Sequence, residues 1–321
     1  MGLFSLVEPG LKRVDALLSK TLRQENALVA EVSDYLLLAG GKRLRPALVL
    51  LAGQFGQDLG EDPEERLVTV ATAVEMIHMA TLVHDDIIDE ASMRRGIPAV
   101  RTQFTNPVAV LAGDFLFANA FELFSRSHDM DIVALAARVV NVMCVGEIAQ
   151  NLSQGKVASE MDYWRRIEAK TGFFLESSCR LGAMASGADP EVREALTQYG
   201  HFIGLAYQVV DDLLDWLANP EKLGKAVGGD LAVGIYTLPI IYAREQKEYQ
   251  AELDQYLLSD RVMEYMAEIK RLLDISGALG YARRQAEGYV DQALHQAALL
   301  PNHPARAVLQ ELAEFILARD Y

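Results

Sequence analysis

Cysteine is scarce in this chain of 321 residues: only Cys144 and Cys179 occur, both in apolar helical contexts. Two thiols so placed read as reduced cysteines in a reducing compartment, which points to a cytoplasmic location. Basic charge is also short, with 30 Lys and Arg against 45 Asp and Glu and a net charge of −15. That balance argues against nucleic acid as a partner and leaves no general basic surface for anionic lipids. It leaves room for a phosphorylated substrate, because metal ions and a few placed Lys or Arg reverse the sign locally. No uncharged apolar run approaches the roughly 18 residues needed to cross a bilayer. Residues 1–20 carry Glu8 and Asp15 within their apolar spacing, which fits an amphipathic helix rather than a signal peptide. The expectation is a soluble chain that does not span a membrane.

Strand signals are nearly absent too, as are low-complexity linkers and composition shifts. There is no G-x-x-x-x-G-K-[ST], so P-loop chemistry is excluded, and no acidic loop with the glycine and closing Glu of an EF-hand. His78 and His84 stand six apart with no third nitrogen or thiolate nearby, which disfavours zinc. His84 by itself reads as an ordinary core histidine.

What is present is apolar sequence, 51% of the chain, recurring at three and four, with the ten prolines mostly between such segments. Gly40-Gly41 closes one helical region and Pro46 opens the next, while Gly96, Pro98 and Pro107 mark a loop. The chain reads as one all-α domain, residues 1–321. The helix from about Val68 to Asp89 is apolar nearly all round, as a central helix is. Yet Glu75, His78, Thr81, Asp85 and Asp89 run down it as a polar stripe, which reads as the wall of a cavity.

That helix ends in His84-Asp85-Asp86-Ile87-Ile88-Asp89. Asp85 and Asp89 lie on one helical face and repel by roughly a few tenths of a kcal/mol when exposed, more when buried. A hard divalent cation between them relieves this. A second copy follows at Tyr207-Gln208-Val209-Val210-Asp211-Asp212-Leu213-Leu214-Asp215. Two such motifs on buried-looking helices read as facing walls of one metal site. Cations gather nearby in sequence: Lys42, Arg43 and Arg45 beside Gly40-Gly41, then Arg94-Arg95, Lys170-Thr171 and Lys225. In so acidic a chain this suggests diphosphates bridged by metal, and Mg²⁺ suits a site of a few carboxylates plus substrate phosphates. His78 lies seven before Asp85 on the same face, where it would touch substrate.

These residues resemble the trans-isoprenyl diphosphate synthases. G-G-K-R-L-R-P, H-D-D-I-I-D followed by R-R-G, the K-T pair, Y-Q-x-x-D-D-L-L-D and G-K-x-x-G-G-D-L occur in family order over essentially the whole chain. The resemblance implies an all-α, single-domain helical bundle around a deep central cavity, and head-to-tail condensation of isopentenyl diphosphate onto an allylic diphosphate. It implies metal at Asp85, Asp89 and Asp211, with Asp215 acting through water. It implies three Mg²⁺ ions per site once diphosphate is bound, Mn²⁺ being a substitute. Arg94, Lys170 and Lys225 would hold the allylic diphosphate, and Lys42, Arg45, His78 and Arg95 the isopentenyl diphosphate. Thr171 and Gln208 would line the reacting centre. Short-chain members carry an aromatic just before the first Asp motif. Here Ala80 and Thr81 stand there, and an apolar face continues through Ile77, Met76 and Ala73. That implies a long product of the kind used for quinone side chains, such as menaquinone. Ile235 replaces an expected lysine. With the run 75–80 and the tail 305–321, this resembles the large catalytic subunit of heptaprenyl diphosphate synthases, which works with a small non-homologous subunit. A homodimer and such a heterodimer both stay open. The alternative is a shorter-chain synthase making geranylgeranyl or farnesyl diphosphate; a terpene cyclase would not need a second diphosphate site, and a regulatory subunit would be expected to lose one Asp motif.

Overall fold

The computed structural model describes residues 2–23, 25–38, 40–57, 63–153, 159–217, 228–259 and 261–319. The fold is all-α, as expected. In chain order it runs α1 (Glu8–Leu22), α2 (Ala27–Leu38), α3 (Leu44–Ala52), α4 (Pro63–Ile88), β1 (Met93–Arg94), β2 (Ile97–Pro98), the single turn α5 (Val100–Gln103), α6 (Asn106–Ser125), α7 (Met130–Ser153), α8 (Glu160–Ile167), α9 (Phe173–Ala185) and α10 (Pro190–Leu217). It continues with the single turn α11 (Gly229–Ala232), then α12 (Leu238–Glu245), α13 (Lys247–Leu257), α14 (Met266–Ile275), α15 (Ala278–Leu299) and α16 (Pro304–Leu317).

Packing divides the chain into two compact units. One comprises Met1–Val140, Ser177–Thr197 and Leu300–Val308; the other comprises Asn141–Glu176, Gln198–Leu299 and Leu309–Tyr321. The first is built on α4, against which α1, α3 and α6 pack. Val70, Ala71, Ala73, Val74 and Met76 of α4 have no exposed surface, so the all-round apolar pattern is satisfied by protein on every side. On α6, Gly113 makes room for the His84 ring: a Cβ there would come 2.1 Å from His84 Nε2 and displace it. In the second unit α12 packs on α15, α13 and α8. A π-turn over Glu168–Gly172 separates α8 from α9. At Gly204 an added Cβ would lie 2.6 Å from the Gly172 backbone, so glycine lets α10 approach that turn.

Helix by helix, the chain is more apolar than its uninterrupted runs indicate. Residues 64–88, 106–125 and 130–153 are each long and apolar enough, by length and composition, to cross a membrane. The expectation from uncharged runs alone missed them because a span tolerates a charge or two. The first is a core helix, with 72% of its apolar window buried in the protein; the third has only 17% buried.

Candidate active site

In the first unit the predicted residues gather around the C-terminal half of α4. Asp85 is half-buried and Asp89 exposed, and Asp89 N donates to Asp85 O at 2.8 Å, so the two stand one turn apart. Asp86 is turned the other way and is only 3% exposed. It accepts from Arg94 Nε at 2.9 Å and also from Arg94 Nη2. Arg94 and Arg95 sit on a two-residue antiparallel ladder, Met93 opposite Pro98 and Arg94 opposite Ile97. Its turn has Arg95 at φ 51° and Gly96 at φ 83°, the mirror-image geometry that joins twisted strands in two residues. Arg95 Nη1 donates to Gly40 O, which ties this turn to the glycine pair. Gly41 leaves room for that guanidinium: a Cβ there would lie 2.7 Å from Arg95 Nη1, and the arginine would have to shift.

Arg45 Nη1 lies 3.1 Å from His78 Nε2. Arginine only donates, so Nε2 is the acceptor and the imidazole proton sits on Nδ1. Burial, with Arg45, Arg95, Arg94 and Arg43 adding to it, holds His78 well below the ordinary imidazole range, so the ring is neutral. Arg43, in a left-handed conformation at φ 51°, donates to Glu75 at 2.7 Å and to Asp15 at 2.9 Å. Lys42 is exposed beside it. A cleft in this unit is lined by Glu75, His78, Met79, Leu82, Arg94 and Arg95. Of the residues expected to set product length, Met76, Ile77 and Ala80 have essentially no exposed surface, while Thr81 is half-buried and its hydroxyl donates to His78 O at 2.8 Å.

The second unit holds the other motif. Asp211 and Asp215 are half-buried on α10, and Asp212, between them in sequence, is 3% exposed. Asp212 Oδ2 accepts from the Tyr163 hydroxyl at 2.7 Å, and Oδ1 from Gln208 Nε2 at 2.9 Å. Gln208 Oε1 in turn accepts from the Thr171 hydroxyl at 2.7 Å, so the predicted pair is in direct contact. Lys170 Nζ lies 3.4 Å from Glu147, and both Lys170 and Thr171 sit on the π-turn, a widened turn common at functional sites. Lys225 lies outside the described residues.

Two residues absent from the sequence reading belong to this cluster. Asp215 Oδ1 accepts from Gly229 N at 3.0 Å and Oδ2 from Asp230 N at 3.3 Å, which draws α11 onto the motif. Burial and the neighbouring Asp215 push the Asp230 carboxyl up to about 6; burial and Asp230 push Asp212 up to about 7. The G-G-D-L motif was visible, and this carboxylate was its one unassigned acid. The other residue is Arg319, just beyond α16. Its Nη2 pairs with Asp211 Oδ1 at 2.8 Å, its guanidinium lies 4.3 Å over the Tyr207 ring, and its side chain is 6% exposed. Ile235 is half-buried and donates from its backbone to Asp230 O at 2.9 Å.

Carboxyls driven upward by one another's charge form a site that favours a cation, and all their donor atoms are oxygens, as a hard divalent ion requires. Among the described residues no three acidic, His or Cys side chains are gathered tightly enough to cage an ion unaided. An ion bound there takes further oxygens from water or substrate.

The sequence profile of the polyprenyl synthetase family matches residues 26–275. The chain belongs to the polyprenyl synthetase family. It is therefore a prenyltransferase of the trans-prenyl diphosphate synthase type. It is 37% identical to heptaprenyl diphosphate synthase component 2 of Geobacillus stearothermophilus, over 100% of this chain and 99% of that one. Heptaprenyl diphosphate synthase of Staphylococcus aureus has a similar fold, with a TM-score of 0.90 at 31% identity over 100% and 99% of the two chains. So does a polyprenyl synthase of Caulobacter crescentus, solved with calcium and isoprenyl diphosphate, with a TM-score of 0.90 at 33% identity over 99% and 97%. In polyprenyl synthetase terms, both Asp motifs are intact here, and the middle Asp of each is an internal anchor rather than an exposed ligand.

Proposed function

We propose that this polyprenyl synthetase condenses isopentenyl diphosphate onto farnesyl or a longer allylic diphosphate, with Mg²⁺, to give a long-chain all-trans polyprenyl diphosphate for a quinone side chain. One observation carries the reading: His78, Arg94 and Arg95 line one cleft, and Arg45 Nη1 lies 3.1 Å from His78 Nε2, in the unit that also holds Asp85 and Asp89. A chain of net charge −15 concentrates cations in this way where it must bind anions.

In this reading Arg45, His78, Arg95 and Lys42 hold isopentenyl diphosphate. Arg45 offers its guanidinium, and neutral His78 orients it by accepting one hydrogen bond. Arg94 meets the allylic diphosphate while Asp86 fixes its Nε and Nη2. Asp85, Asp89 and Asp211, with Asp215 through water, hold Mg²⁺, which neutralises charge developing on the leaving diphosphate. Lys170 adds positive charge from the π-turn. Thr171 and Gln208 face the reacting carbons. The small side chains of Ala80 and Thr81 support a long product. For a partner, α7 offers Val145, Ile148 and Leu152, which are 58%, 61% and 74% exposed. That apolar face suits a second subunit, either another copy or a small non-homologous component.

The test uses the purified chain with Mg²⁺, farnesyl diphosphate and isopentenyl diphosphate, with products sized by mass spectrometry. A ladder ending at one product beyond geranylgeranyl length is expected from a self-sufficient enzyme. No product despite binding of both diphosphates assigns activity to a heteromer. A single product of farnesyl or geranylgeranyl length overturns the long-chain reading.

A further inference from the structure

The second Asp motif holds a carboxylate that the proposed metal site does not use. Asp212 is 3% exposed, and both of its oxygens are occupied from within the same unit: Oδ2 by the Tyr163 hydroxyl at 2.7 Å and Oδ1 by Gln208 Nε2 at 2.9 Å. Tyr163 has no exposed surface and is among the largest fully buried side chains of the protein. Its ring packs against Trp164, with centroids 5.0 Å apart, and the Arg166 guanidinium lies 5.4 Å from it. Arg166 is itself held by Tyr236 O at 2.8 Å. The hydroxyl is therefore fixed in place by rigid neighbours. Burial, then the charge of Asp212, drives its pKa well above the ordinary phenol range, so it is a permanent donor.

The chain of donors has a direction. While Asp212 is ionised its carboxylate accepts, and the end of the Gln208 amide facing it is then the NH₂ group, 2.9 Å away. The amide carbonyl is thereby turned to Thr171, whose hydroxyl spends its proton on it at 2.7 Å. What Thr171 then has left for a substrate is lone pairs. An oxygen presenting lone pairs stabilises positive charge that develops beside it, and it has no proton to give to a diphosphate or an alkene.

We infer that Tyr163 is a positioning residue for prenyl transfer, acting through Asp212 and Gln208 to hold the Thr171 hydroxyl as an acceptor toward the allylic cation. This rests on the reading that places Thr171 and Gln208 at the reacting centre. Tyr163 touches no substrate. It orients a hydroxyl two hydrogen-bonded residues away.

The test is a double-mutant cycle in the active holoenzyme, whether that is the chain alone or the chain with its partner component. Tyr163→Phe, Thr171→Val and the double variant are assayed with farnesyl and isopentenyl diphosphates and Mg²⁺, resolving kcat from both KM values. Tyr163→Phe is expected to lower kcat about tenfold with both KM values within twofold, and to cost nothing further in the Thr171→Val background, as for residues acting as a unit. Thr171→Ser, which keeps the hydroxyl, should retain most of the activity and restore sensitivity to Tyr163→Phe. Equal fold-losses in both backgrounds, or a change in thermal stability alone, overturn the inference and leave the prenyl-transfer reading standing. Wild-type kcat in Thr171→Val removes Thr171 from the reacting centre, and the role of Tyr163 falls with it. If Tyr163→Phe does not fold, Gln208→Met interrupts the same chain and must show the same non-additivity with Thr171→Val.

Discussion

Asp230→Asn separates the electrostatic cost of the second cluster from its use. In the folded protein Asp230 titrates at about 6 and Asp212 at about 7, both raised by burial and by neighbouring carboxylates. An unfolded Asp titrates near 3.9, so the folded state resists ionising both. The sign follows from proton binding. At pH 8 both groups are ionised in the folded and unfolded chain, and the full penalty is present. As pH falls through the folded values the native state takes up protons first, and the penalty shrinks toward zero below about 4. A shift of about two units in Asp230 corresponds to about 3 kcal/mol at pH 8. Asparagine keeps the shape and leaves the backbone donation from position 230 to Asp215 in place. In EDTA at pH 8, Asp230→Asn should therefore be more stable than wild type by about 2 kcal/mol, and its stability should change less between pH 8 and 5.5. With Mg²⁺ and a non-hydrolysable allylic diphosphate analogue the order should reverse, because wild type gains more from ligand binding. Urea unfolding under the four conditions measures this. A variant no more stable than wild type in EDTA at pH 8 would refute the reasoning, since the acidic cluster would then carry no repulsion for a cation to relieve.

The remaining predictions concern single contacts. Arg319→Ala removes the 2.8 Å pair to Asp211 and the guanidinium over Tyr207. It should cost about 1–2 kcal/mol in stability yet tighten Mn²⁺ binding several-fold in an EPR titration, since Arg319 then no longer competes at Asp211; unchanged affinity would show that the pair does not compete. His78→Gln retains an acceptor for Arg45 but cannot charge. Because His78 is held below its unfolded value, wild type should lose stability relative to this variant as pH falls below about 6.5, at up to about 1.4 kcal/mol per pH unit, and parallel urea midpoints would count against a buried neutral ring. Ala80→Phe places a ring where there is no exposed surface, costing about 1–3 kcal/mol by overpacking. It should also shorten the product by at least one isoprene unit, each about one helical turn or 5.4 Å long, and a folded variant with the wild-type product ladder would contradict the placement of Ala80 beside the growing chain.

The sequence alone determined which residues carry charge, which helices hold them and which acids share a helical face, because helical periodicity is local. Three- and four-residue spacing put Asp85 beside Asp89 and Asp211 beside Asp215, and the motif order identified the family without any tertiary contact. Periodicity also implied that Asp86 and Asp212, one position on from the first acid, point about 100° away from it. What those two side chains bind was not legible. Arg94 reaches Asp86 only because residues 89–92, with Glu90 at φ 52°, turn the chain so that β1 comes back beside the end of α4, and Tyr163 reaches Asp212 where Gly204 and Gly172 let α10 approach the π-turn. Arg319 and Asp211 meet from distant parts of the sequence, and Asp230 joins the cluster through the backbone of a single turn at α11. Membrane-length apolar helices likewise read the same on paper whether core or surface, yet residues 64–88 are wrapped by protein while residues 130–153 keep most of their apolar window exposed. Only the tertiary structure decides such matters, because contacts between distant residues depend on how helices pack, and pKa values depend on which charges that packing brings together.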